Sequence, residues 1–309
     1  MPAAADGPGY YGRPIVKPPV WTWEIPLYFF TGGTAGMAAA IALAAHLAGD
    51  PGAVMRPALR LAFLGGAVIS PALLVMDLGR PRRFLHMLRV FKWQSPMSVG
   101  AWILFLFGAA VTLALFLTEW SLRPGAPTTL ASLRTVALVA AGVLGPVLAT
   151  YTGVLIGATA IPAWFAHHRD LPLHFGVSAL GSAAAALELL GFRSPALHAI
   201  GLGAAGVEIV LGSWIELRQH GPADAALREG HPGGLLRGSG LLTGPIALVL
   251  RLIGAIPWAA GAFLAGALLG RYGWLAAGRA SGLDPVATLS AQAAAGRQKW
   301  IPRQSSTRT

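Results

Sequence analysis

Long apolar runs separated by short basic punctuation constrain this chain more than any other feature. A helix that crosses a bilayer needs roughly 20 mostly apolar residues. Eight such stretches follow one another, at about 23–47, 58–76, 97–120, 134–160, 171–191, 197–217, 239–255 and 257–277. Hydrophobic residues make up 55% of the chain and charged residues 11%, where a soluble chain carries about 25% charge. That is too little charge to cover a water-facing surface, and enough for a protein solvated by lipid. The sequence therefore predicts an all-α, polytopic membrane protein of about eight spans. The stretch "GPIALVLRLIGAIPWAAGAFLAGALLG" reads either as two spans meeting near Ile253–Pro257 or as one long span, so seven is the alternative count.

The division that follows is an N-terminal arm over 1–22, a helical membrane domain over 23–279 with an amphipathic interface loop at 77–96, and a polar tail over 280–309. The first apolar run is long enough to span, so it reads as the first membrane helix and not as a cleaved signal. Gly32 and Gly36 form a GxxxG face that permits close helix approach. Pro146 and Pro162 predict a local kink in or after the fourth segment.

A net charge of +11 would fit a nucleic-acid partner if the basic residues formed a patch. They sit instead at the ends of apolar segments, as membrane topology requires, and nucleic acid is not expected. With eight spans, most of the 23 Lys/Arg fall on the face that carries the N-terminal arm, here called side A. The loop after the second segment alone supplies Arg80, Arg82, Arg83, Arg89 and Lys92. The positive-inside rule then places side A, and with it both termini, in the cytoplasm of a cell that carries the protein in its inner or plasma membrane.

Cysteine is absent, which excludes disulfides and thiolate-held zinc or iron–sulfur clusters in this chain. His46 and His198 lie at segment boundaries near side B and His174 near side A, so no pair of histidines suggests a mid-span haem. No metal is expected. No loop is long enough for a nucleotide-binding fold, and no Walker A or HExxH motif occurs. Any chemistry belongs inside the membrane or at its edge.

Few ionisable groups lie near the spans, and each is costly there. Glu24 and Tyr28 are four residues apart on one helical face, within reach of one small polar ligand. Tyr151, in the fourth segment, falls in the same half of the bilayer. Asp77, Arg80, Arg83 and His86 crowd the second side A loop, where His86 suits proton transfer near neutral pH. Glu208 is the acid deepest in a span, fitted either to a proton path or to a bond between helices. Glu119 and Glu188 fall near side B, where water would solvate them, and Glu216 near Arg218. Each of these residues also has a plain structural reading: a belt tyrosine, an interfacial acid, a topology-setting arginine.

Three stretches carry a resemblance. "WTWEIPLYFFTGGTAGMAAAI" at 21–41, "DLGRPRRFLHMLRVFKWQSPMSVGAW" at 77–102 and "YTGVLIGATAIPAW" at 151–164 resemble the NrfD/PsrC family of quinone-interacting membrane subunits, with shorter agreement in "RYGWLAAGRASGLDP" at 271–285. The resemblance implies eight helices in two four-helix bundles and a quinone, menaquinone or ubiquinone, bound in the bundle nearest a partner. It implies an iron–sulfur partner subunit with four cubane clusters, and behind it a molybdenum, tungsten or other dehydrogenase or reductase subunit. The family's polysulfide-reductase member lines its pocket with an asparagine and a histidine in the first helix and a tyrosine in the fourth. The tyrosine falls on Tyr151. The histidine position falls on Tyr28, and the asparagine position on Ile25, beside Glu24, so two of the three differ here.

On this reading Tyr28, Tyr151 and Glu24 meet the quinone head group, and Glu24, Asp77 and His86 take up or release protons. Arg80, Arg83, Arg89 and Lys92 hold the partner on side A, and Glu208 extends a proton path. The polysulfide-reductase member carries its soluble partners outside the cytoplasm, whereas the charge bias here points inside. The competing readings are a solute or ion transporter and a purely structural membrane anchor for a soluble oxidoreductase.

Overall fold

The computed structural model describes residues 15–17, 19–50, 52–78, 86–121, 123, 127, 129–218 and 221–299. Arg80 and Arg83 lie outside them. Every regular element among the described residues is helical. Eight have the length to cross a membrane: α1 (Glu24–Leu47), α2 (Met55–Asp77), α3 (Pro96–Trp120), α4 (Thr129–Gly157), then, after the short α5 (Pro162–Ala166), α6 (Asp170–Leu189), α7 (Pro195–Leu217), α8 (Gly230–Leu252) and α9 (Ile256–Leu283). Six of these, all but α6 and α9, are also apolar enough to do so. The 20 residues of α6 still reach about 30 Å at 1.5 Å per residue. Its buried Glu188, and the buried Arg271 of α9, face protein and not lipid, which is how polar groups persist in spans. The protein is an all-α, multi-pass membrane protein.

Local chemistry sets the helix ends. Ser95 precedes Pro96 and Ser194 precedes Pro195. Each serine hydroxyl accepts from the backbone N–H three residues on, and each proline occupies the first turn, where its missing N–H costs nothing. Between α8 and α9 the chain reverses at Ile253–Ala255, with Gly254 at φ 79°. That conformation suits glycine, and it makes the 239–277 stretch two helices. One feature of α2 and α8 is absent from any hydropathy pattern: Leu64–Ile69 and Leu242–Ile246 are wound as π-helix.

Packing resolves into two groups of four. In the first, α1 lies on α2 and α4, and α3 on α2 and α4. In the second, α6 lies on α7 and α9, and α8 on α7 and α9. The seam between them is α1 and α4 against α6, with α1 also touching α9. The close approach expected at the GxxxG face occurs at one of its two glycines. A Cβ on Gly36 would run into the Gly145 carbonyl of α4, and the reverse is equally true, whereas Gly32 faces the Ser70 hydroxyl of α2. Gly145→Val is expected to force α1 and α4 apart and to cost about 1–3 kcal/mol or more, measured as lost thermal stability in detergent. An unchanged melting temperature would show that the crossing tolerates separation.

Two arginines are not where a count of loop charges puts them. Arg251 and Arg271 are both buried, at 2% exposure, so neither contributes to topology as a surface charge. The tail also differs from a structureless one. α9 runs to Leu283, and α10 (Pro285–Lys299) follows at once. Ala287 and Thr288 are buried, and α10 rests on the turn at Pro222–Asp224.

Candidate functional site

Each of the first four long helices sends side chains into one cleft in the side A half. It is lined by Ile25, Tyr28 and Phe29 from α1, Leu74 and Asp77 from α2 with Leu78 just after it, Met97 and Ala101 from α3, and Tyr151 and Leu155 from α4. Trp21 from the arm and Met87 from the loop complete it. The sequence-predicted pair, Tyr28 and Tyr151, is thus brought together. Tyr151 is six residues from the end of α4, so about 9 Å inside it.

Several contacts hold this geometry. Trp21 stacks on Trp164 with ring centroids 5.6 Å apart and meets Phe29 edge-on at 6.2 Å, which folds the arm over the cleft. The Trp164 indole donates to the Trp274 carbonyl at 2.7 Å, and the Tyr272 hydroxyl donates to the Trp23 carbonyl at 2.9 Å. The second bundle therefore anchors the entry to α1. Gly100 makes room for Tyr151: a Cβ there would occupy the space of the phenol ring. No hydrogen bond is made by either phenol hydroxyl to another described residue.

The acids are arranged differently from the sequence reading. Asp77 lines the cleft, but Glu24 does not. Thr22 links them: its hydroxyl lies 3.0 Å from the Asp77 carboxylate and in very short contact with the Glu24 carboxylate, while its backbone N–H points at Asp77 from 3.4 Å. A hydroxyl has one proton to give, so it serves one carboxylate at a time. Thr22 carried no signal in the sequence.

His86 is exposed and does not line the cleft, though its neighbour Met87 does. Arg89 and Lys92 are exposed on the same face, beside Val90, Phe91 and Trp93, whose exposed apolar surfaces suit headgroup depth. Glu208 is far from this cleft along the chain fold, on α7 of the second bundle, where its carboxylate lies 3.3 Å from the His174 imidazole and 3.4 Å from the Thr243 hydroxyl. Glu188, expected near water, is instead buried in a two-pronged pair with Arg251, at 2.9 and 2.6 Å. Glu119 is partly exposed and held by Arg56 and Arg60 at 3.0 and 2.8 Å. Arg218 approaches Asp170 at 3.7 Å and not Glu216.

The arrangement is thus an apolar, aromatic cleft lined by two phenols and the Asp77 carboxylate, with Glu24 behind it through Thr22. It suits a flat, mostly apolar molecule with oxygen atoms at its ends. Residues 15–202 match the family described as polysulphide reductase, NrfD. No curated protein matches the chain.

Proposed function

The chain belongs to the polysulphide reductase NrfD family, and from that premise we propose that it is the membrane subunit of a redox complex that binds quinone or quinol between Tyr28 and Tyr151. The observation that carries the proposal is the cleft itself, where all four helices of the first bundle converge and Tyr28 and Tyr151 both line the wall. Its chemistry fits a quinone head group: aromatic walls for the ring and hydroxyls for its oxygens. Its free volume is about 60 Å³, room for about two waters. Ring entry therefore requires Met87 and Met97 to swing aside. Both line the mouth, and methionine is unbranched and adaptable enough to do so.

A bound quinone supplies a lipid-soluble two-electron, two-proton couple. The chain's own residues do the rest. Tyr28 and Tyr151 orient the ring through their hydroxyls and keep water from it. Thr22, Glu24 and Asp77 hold protons at the mouth, the threonine hydroxyl shifting between the carboxylates as one gains or loses a proton. His86, exposed just outside, exchanges protons with bulk water. Arg80, Arg83, Arg89 and Lys92 hold an iron–sulfur subunit with four cubane clusters against side A, and that subunit connects to a molybdenum, tungsten or other dehydrogenase or reductase partner. Side A faces the cytoplasm of a cell membrane on this proposal.

Titrating the purified chain with a short-tailed quinone tests the binding step. Saturable binding should weaken at least about tenfold in the Tyr28→Phe, Tyr151→Phe double variant, since each lost hydrogen bond costs about 0.5–1.5 kcal/mol. Equal affinity for both proteins would defeat the assignment, and solute flux into vesicles by this chain alone would favour a transporter. Replacing Arg80, Arg83, Arg89 and Lys92 by glutamine is expected to weaken retention of the partner, with the loss growing as salt is raised. Normal co-purification at every salt concentration would remove the docking role.

A further inference from the structure

The second bundle contains buried titratable groups that the quinone cleft does not use. We propose that Asp170, His174 and Glu208, with His167 beside them, form a proton-exchange track that opens on side A and ends inside the second bundle at Glu208. The track is separate from the cleft and does not depend on quinone binding. Three of the groups that shape its inner end, Glu208, Thr243 and Arg271, lie beyond residue 202, where the family match ends.

Spacing makes the track. Asp170 and His174 are four residues apart on one face at the start of α6, and His167 sits in the turn just before it. The His167 and Asp170 side chains approach to 3.5 Å, and Asp224 meets the other His167 nitrogen at 3.2 Å. One turn further in, about 6 Å along the axis, His174 lies 3.3 Å from Glu208. Asp170 opens the outer end, near the Trp214 indole at 3.4 Å and the half-exposed Arg218. The His167–Asp170 and His174–Glu208 contacts are within reach of direct transfer, and on this proposal water bridges the step of about 6 Å along the axis from Asp170 to His174.

Unused hydrogen-bonding capacity gathers here: three of the eight buried side-chain nitrogen and oxygen atoms without a partner among the described residues belong to this cluster. Among the described residues, Nδ1 of His167 and Nδ1 of His174 face Asp170 and Glu208 at 3.5 and 3.3 Å without the alignment of a hydrogen bond, and the other Glu208 oxygen is buried with no partner. Such atoms are rare and call for a reason. A relay needs open donor and acceptor positions through which a proton can arrive and leave. Charge fits as well. Arg271 of α9 is buried, gives one hydrogen bond to the Phe175 carbonyl at 3.0 Å and rests 3.8 Å over the Phe175 ring. It is a fixed positive charge near the inner end, and the titrating groups around it are Glu208 and His174. Toward side B the bundle is closed by the Arg251–Glu188 pair, whose side chains are at 0% and 3% exposure. The track is therefore a dead end, open to one face.

Infrared difference spectra of the full chain in lipid vesicles, taken while the bath pH is stepped, test this without any quinone present. A protonated-carboxyl band should titrate, disappear in Glu208→Gln, shift in Glu208→Asp and persist in Glu119→Gln on side B. On transfer to heavy water its isotope shift should slow at least about tenfold in His167→Gln, which keeps hydrogen bonding but cannot carry a charge. A purely structural cluster would show no such dependence. Absence of a Glu208 band, or exchange at the same rate in His167→Gln, overturns the track.

Discussion

Tyr151→Phe is expected to lower quinone-coupled turnover of the assembled complex by about 10–100-fold, while complex assembly and helix content stay unchanged. The substitution removes one oxygen from a cleft lined by two phenols and leaves its aromatic wall intact. The loss is a hydrogen bond to an oxygen that gains or loses charge during turnover, the kind that matters most when the site is dry. Because Gly100 leaves no slack around the ring, phenylalanine keeps the tyrosine position and the comparison isolates the hydroxyl. Glu24→Gln should lower turnover too, by a different route: it leaves Thr22 an uncharged acceptor and Asp77 as the sole acid at the mouth. The two defects separate by quinone affinity, since Tyr151→Phe weakens binding of the ring and Glu24→Gln, which does not line the cleft, leaves it unchanged. Full turnover in both variants would mean that the redox chemistry lies elsewhere.

The largest stability effect is expected at the Arg251–Glu188 pair. Glu188→Ala leaves a guanidinium with 0% exposure and no carboxylate, and breaking one side of such a pair costs about 3–5 kcal/mol. Gly201 adds to the cost, because the guanidinium is packed directly against it and has no room to turn toward lipid. The apolar double variant Glu188→Leu, Arg251→Met should recover most of the loss, since removing both charges also removes their desolvation. Thermal unfolding in detergent measures both. A mild single variant, or a double variant no better than the single, would show that the arginine finds water or another partner.

The eight helices were legible because the apolar runs match the thickness of a bilayer. What hydropathy misses is structure built from small and polar residues. α8 begins at Gly230, nine residues ahead of the apolar stretch at 239–255, because "GHPGGLLRG" is helical through packing on α9 and not through its own composition. α10 is invisible for the same reason. At the site, Tyr28, Tyr151 and Asp77 could be placed by depth alone, since depth follows from residue count. Thr22 and Gly100 could not, because their importance comes from a partner on another helix. Depth alone places Glu188 near water, and it misleads for one reason: depth does not say which helix face turns inward, and only the fold brings Arg251 of α8 to it across the bundle interior.

The π-wound stretch of α2 makes that rod do two jobs in different directions. Before it, Met55 and Leu59 are fully enclosed by protein; after it, Leu74 and Asp77 reach the cleft. A π turn holds one residue more than the α-helix around it, so excising one residue from Leu64–Ile69 would swivel everything downstream by about 100° at 3.6 residues per turn. Asp77 would then look away from Thr22 with every side chain in the sequence still present. Residue count across this segment, more than residue identity, sets the bearing of the acid.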